Sequence, residues 1–155
     1  MLDYNSLKNK DLKAGNQAGF TLIELMIIIA IIAILVNMAM VSYKDYLVRS
    51  KISSGLVLAA SAKSAVTEYY ANNGSIPEDN NAAGLATPNG ISNDYVVSVG
   101  VGTMPSTGTI TITYSLPELN PGDSILLTPD TTAGAVQWTC MSNTMSNTML
   151  PSSCR

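Results

Sequence analysis

The sequence predicts an α+β protein: a long N-terminal α-helix whose first half spans a membrane and whose second half packs on an antiparallel sheet of about four strands, with a C-terminal disulfide loop. Three observations predict it. The run from Phe20 to Val41 is apolar and holds one ionisable residue, Glu24. From Ser42 to Asn73 there are few breakers, and apolar residues recur on one side only. Beyond Gly74 the composition turns to Gly, Pro, Asn, Ser and Thr, interrupted by short alternating runs.

As a helix the first run spans about 33 Å at ~1.5 Å per residue, slightly more than a hydrocarbon core of about 30 Å. A cleaved export signal needs a shorter apolar region and a small-x-small site. Here Ala39 has Asn37 at the minus-three place. A plain anchor fits the length but leaves Glu24 unexplained, because an acid inside an apolar run costs roughly 2.5–3.5 kcal/mol on insertion scales. No lysine or arginine lies between Phe20 and Val41; Lys13 and Lys44 are the nearest. A cut after Gly19 would create an α-ammonium on Phe20, four residues before Glu24, in this subunit or a neighbour. The alternative is a Glu24 that snorkels to the interface or is protonated there.

The segments AGFTLIELMIIIAII from Ala18 to Ile32 and YKDYLVRSKISSGL from Tyr43 to Leu56 resemble the N-terminal signature of type IV pilins, in the subclass whose mature chain starts with phenylalanine. The resemblance covers about 40 residues. It implies that a prepilin peptidase cuts between Gly19 and Phe20, that Phe20 is N-methylated, and that Glu24 is the carboxylate that guides assembly. The chain departs from the pattern in its long leader and in Ala33, Val41 and Ser61, which stand where a glycine and two prolines are usual. Glycine and proline weaken or kink helices, so their absence predicts a straighter rod. Asn37 is expected to form an interhelical or backbone hydrogen bond.

Lys8, Lys10 and Lys13 precede the span and Lys44, Arg49 and Lys51 follow it, so basic residues do not set its orientation. Cys140 and Cys154 do: an even pair in a small extracytoplasmic body is most simply a disulfide, which puts the leader in the cytoplasm and the body outside. The expected domains are residues 1–19 as a cleaved leader, 20–41 as the transmembrane and filament-core helix, and 42–155 as the head.

In the head, Ile52, Leu56, Ala59, Ala62, Val66 and Tyr70 mark one helix face. Gly55 costs the helix about 1 kcal/mol against alanine. Asn72-Asn73-Gly74 is the stop, ending a rod of roughly 53 residues and ~80 Å. Four strands are expected, at Asp94–Val101, Thr109–Tyr114, Ser124–Thr128 and Ala135–Cys140, with turns at Pro121-Gly122 and Gly134. Alternation places Val97, Val99 and Val101 on one side of the first strand. In the second it places Ile110, Ile112 and Tyr114 opposite the threonines. Trp138, Tyr69 and Tyr70 are expected to pack helix against sheet.

The Cys140–Cys154 loop of about 15 residues is worth roughly 3 kcal/mol by chain entropy and resembles the disulfide-bounded C-terminal loop of pilins. The tetrad MSNT occurs in it twice, Met141–Thr144 and Met145–Thr148, as a short duplication in a surface loop with some methionines turned to the sheet.

The chain has no histidine and only two cysteines, so imidazole catalysis and four-thiolate metal sites are excluded. Nucleophile-elbow and phosphate-loop motifs are missing as well, so neither an enzyme nor a cofactor is expected. Glu78-Asp79 lacks the oxygen-ligand pattern of a calcium loop. All but one of the eight Lys/Arg fall at or before Lys63, and residues 64–154 carry seven acids and no base, an acidic body. Candidates for nucleic-acid contact are Lys44, Arg49, Lys51 and Lys63, most of which would face neighbouring subunits in a filament.

The expected function is a structural subunit of a type IV pilus, held in the inner membrane as a precursor and extracellular once assembled. Expected partners are copies of itself, the prepilin peptidase, an assembly platform, motor ATPases and a secretin. Motility, adhesion or DNA uptake is the expected output. The alternatives are a minor pilin, a type II secretion pseudopilin, or an anchored binding protein that never polymerises.

Overall fold

The computed structural model describes residues 19–142 and 144–155. The expected leader lies outside the described residues except for Gly19. The chain divides into two units between Ala39 and Met40.

The described part of the first unit is nearly all helix. Helix α1 (Leu22–Leu58) starts here, and every residue from Gly19 to Ala39 is exposed. It passes through Ala33 and Val41 without interruption. The helical stretch Leu22–Asn73, of 52 residues, is long and apolar enough to cross a membrane by length and composition.

In the second unit α1 gives way after a single turn residue, Ala59, to α2 (Ala60–Asn73). Two hydrogen bonds bracket the break, from Ala59 N–H to the Gly55 carbonyl (2.9 Å) and from Lys63 N–H to the Ala59 carbonyl (3.0 Å). The Ser61 hydroxyl donates to the Leu58 carbonyl at 3.1 Å, a side-chain bond that competes with the helix's own ladder. α2 ends at Gly74, whose φ of 68° lets its N–H reach the Tyr70 carbonyl at 2.8 Å. Only glycine takes that left-handed conformation without steric cost.

The buried helix positions are Val48, Ile52, Gly55, Ala59, Ala62 and Val66. Their alternating steps of four and three keep one straight seam against the sheet. Leu56 and Tyr70, expected in that seam, lie at its margin and are half-buried. Gly55 takes a central place because the Tyr114 ring fills the space its side chain would need. A Cβ there would stand 2.6 and 2.7 Å from Tyr114 Cε1 and Cζ.

The sheet is antiparallel throughout, in the order β1-β2-β3-β4, with β1 (Val96–Gly102), β2 (Thr109–Tyr114), β3 (Ser124–Asp130) and β4 (Gln137–Met141). Ile110, Ile112 and Tyr114 are buried as expected, together with Val99, Val101, Ile125 and Leu127. Val97 is not. Its register breaks between Val96 (opposite Tyr114) and Ser98 (opposite Thr113), so Val97 is a bulge residue turned to solvent, and Val96 goes inward. Asn93 contributes to this by holding the amides of Tyr95 and Val96 on its side-chain oxygen, each at 2.9 Å. Thr109 also departs from the alternation: it is buried, and its hydroxyl donates to the Ser106 carbonyl at 2.6 Å.

β3 runs two residues past its expected end, through Pro129. Its pairing with β2 stops at Leu127, so no β2 carbonyl needs the amide that proline lacks. The Pro121-Gly122 turn is present, with Gly122 at φ 91° and Asn120 N–H bound to the Asp123 carboxylate at 2.9 Å. Trp138 is half-buried against the core, with Lys63 Nζ 5.6 Å from its ring centroid.

Candidate assembly site

The N-terminal site is built on the start of α1. Thr21 is the last residue before the helix and Glu24 its third, the spacing of a capping box. Thr21 N–H and the Thr21 hydroxyl both donate to Glu24 Oε2, at 2.9 and 2.6 Å, and Glu24 N–H returns to Thr21 Oγ1 at 3.3 Å. Glu24 therefore has partners within its own chain. Sequence reasoning set Glu24 against a new amino terminus or at the membrane interface and did not include this cap, although Thr21-Leu22-Ile23-Glu24 carries its signal. Gly19 and Phe20 precede the cap and are exposed. A break between them would leave both Thr21 donors intact.

Further along, Asn37 Nδ2 donates to the Ala33 carbonyl at 2.8 Å, the backbone bond expected for it. The exposed surface of this segment is otherwise apolar, from Phe20 and Leu22 through Ile23, Ile27 and Ile31 to Leu35.

The second site is the disulfide loop. Cys140 and Cys154 are bonded, with Cα atoms 4.6 Å apart. The two MSNT copies differ in use. In the first, the Ser142 hydroxyl donates to the Ser124 carbonyl (2.7 Å) and Thr144 Oγ1 accepts Ser124 N–H (3.1 Å), which ties the loop to the start of β3. In the second, the Ser146 and Thr148 hydroxyls pair with each other at 3.0 Å, while Met145 is buried. Arg49 on α1 donates to the Thr148 carbonyl at 2.5 Å, and Arg155 Nε to the Leu150 carbonyl at 3.1 Å. Leu150 and Cys154 are buried, so the loop closes one end of the core. Replacing both cysteines by serine is expected to lower stability by about 3 kcal/mol. Urea melts followed by the fluorescence of Trp138, the single tryptophan, measure it; an unchanged midpoint would contradict the assignment.

Little else offers chemistry. Among the described residues no three His, Cys, Asp or Glu side chains gather as a metal site. A cavity of about 170 Å³ beside the disulfide is lined by Leu56, Lys63, Leu127, Trp138 and Ser153 together with the two bonded cysteines. Lys51 pairs with Glu118 at 3.6 Å and lies over the Tyr95 ring, a partly exposed contact worth little on its own.

One unit of the chain is an exposed apolar helix with one capped carboxylate, and the other is a disulfide-closed α+β head. Two family models match: the prokaryotic N-terminal methylation motif over residues 15–40 and the pilin of bacterial filaments over residues 48–155. The chain is 42% identical to the type IV major pilin protein PilE of Neisseria gonorrhoeae over 127 residues, covering 80% of this chain and 74% of the relative. It is 43% identical to the fimbrial protein EcpC of Eikenella corrodens over 142 residues, covering 90% and 91%. A fimbrial protein of Neisseria meningitidis is 42% identical over 127 residues, covering 80% and 72%. The chain belongs to the pilin family. It is a structural subunit of a pilus.

Proposed function

We propose that this subunit is made as an inner-membrane precursor, cut between Gly19 and Phe20 by a prepilin peptidase, N-methylated on Phe20, and assembled with copies of itself into a type IV pilus outside the cell. Residues 1–19 are then the leader, 20–41 the membrane and filament-core helix, and 42–155 the head. The observation that carries this reading is the apolar segment from Phe20 to Val41, exposed on every side and broken by a single acid. In a bilayer that surface meets lipid. In a filament it meets the same surface of its neighbours.

Exchanging lipid for helix contact changes apolar burial little, so packing and a few polar pairs set the balance, and the step can run both ways under a motor. Glu24 supplies the polar pair, its carboxylate meeting the ammonium of a processed Phe20 on a neighbouring subunit. Assembly platform, motor ATPases and secretin are the machinery such a cycle needs. Motility, adhesion and DNA uptake are its outputs. The subunit itself carries no catalytic role.

The intact mass and first residue of protein sheared from cells test this directly. A chain that begins at methylated Phe20 is expected, and one that still begins at Met1 would refute it.

A further inference from the structure

β1 is an edge strand, and its sequence, VVSVGVG, is uncharged, rich in valine and free of proline. Such an edge is a template for pairing with an identical strand. Two of its outward backbone groups in mid-strand, the Val99 carbonyl and the Val101 amide, are nevertheless occupied. Asn80, from the connection between α2 and β1, is only 4% exposed. Its Nδ2 donates to the Val99 carbonyl at 3.1 Å, and its Oδ1 accepts Val101 N–H at 2.5 Å. These are the bonds that a residue of an added parallel strand would make opposite Gly100. The second amide hydrogen goes to the Ala86 carbonyl at 2.7 Å, so one side chain ties the connection both to itself and to the strand. At the start of β1, Asn93 N–H donates to the Val96 carbonyl (3.0 Å) and Val96 N–H to the Asn93 carbonyl (3.3 Å). Pro88 lies over Gly100, 3.5 Å from where a Cβ would stand.

We propose that the connection between Gly74 and Val96 is a strap that shuts the β1 edge against strand pairing by a second copy of this chain, with Asn80 as its latch. The second copy is the occupant because its own β1 is the best complement: both strands are uncharged, both offer the same outward groups, and an antiparallel pairing satisfies both at once. The inference rests on the head alone and does not draw on the proposed processing or assembly. A population of identical heads held in one membrane or one fibre is where such closure matters most.

The test uses the full chain in detergent micelles. Asn80→Ala leaves the Val101 amide without an acceptor and opens the edge. A core variant, Ile125→Val, serves as a control for general loss of stability. Amide exchange at Val101 is expected to rise about tenfold or more in Asn80→Ala relative to that control. With Val97→Cys as a reporter on the exposed bulge, a thiol-bridging reagent is expected to join two chains in the Asn80→Ala background and not in the control. Should Asn80→Ala fail to fold, Asn80→Leu takes its place: it keeps the side-chain volume but neither accepts from Val101 nor donates to Val99 or Ala86, and the same result is expected. Unchanged Val101 protection, or equal bridging in the Ile125→Val control, would overturn the proposal.

Discussion

Glu24→Gln is expected to abolish filaments while leaving the start of α1 helical. Glutamine at the third helical position still completes a capping box with Thr21, so this variant removes the charge and keeps the cap. Glu24→Ala removes both, and Thr21→Val removes the hydroxyl bond while keeping the charge. If the carboxylate acts through an ammonium on a neighbouring subunit, each Glu24→Gln subunit leaves one buried cation unpaired, at a cost of about 3–5 kcal/mol, and no sheared filament is recovered. Thr21→Val loses about 1 kcal/mol of capping and still assembles, in lower yield. Counting filaments by electron microscopy for the three variants decides the matter. Normal filaments from Glu24→Gln would show that the residue serves the helix and not the contact between subunits.

Gly55→Ala is expected to destabilise the head, against the trend for exposed helices. Helix propensity alone favours alanine by about 1 kcal/mol. The added methyl, however, would stand 2.6–2.7 Å from two ring carbons of Tyr114, well inside van der Waals separation. The ring cannot swing away freely, because it is 2% exposed and its hydroxyl donates to the Ile52 carbonyl at 2.8 Å. Burial also pushes the phenol well above its usual range, so it remains a donor throughout the ordinary pH range. Overpacking of this kind costs about 1–3 kcal/mol and outweighs the propensity gain. Tyr114→Phe alone loses one buried hydrogen bond, about 1 kcal/mol. Urea melts of the single and double variants should show coupling, since deleting the hydroxyl removes part of the clash. Stabilisation by Gly55→Ala would mean that the ring does not occupy that space.

Much of this architecture is legible in the chain itself, because its signals are local. The apolar run, the stop at Gly74, the β2 alternation from Ile110 to Tyr114 and the Pro121-Gly122 turn each follow from neighbouring residues, and each stands where expected. What escaped was set by partners distant in sequence. Nothing near Gly55 announces that a tyrosine 59 positions away will lie on it. The turn of Val97 to solvent depends on a register slip between β1 and β2, and the role of Asn80 on a strand edge 19 to 21 residues further on. The Thr21–Glu24 cap is a different case: its spacing is local, but the same carboxylate is also the one charge of an apolar run, and the two roles share one residue. The disulfide pairing followed from there being two cysteines, whereas the division of labour between the two MSNT copies needed the position of Ser124.

The small residues of the helix seam carry a further consequence. Gly55, Ala59 and Ala62 bring the backbone close to the strands, which provide most of the bulk between them. The large aliphatic groups of α1 are concentrated before Val41, where the described chain gives them nothing to touch. The two units thus differ in their helical side chains: small ones sit at the seam with the strands in the second, and large exposed aliphatic ones dominate the first. Changes in the two stretches are therefore expected to separate, those at the seam lowering the stability of the head and those before Val41 leaving it unchanged.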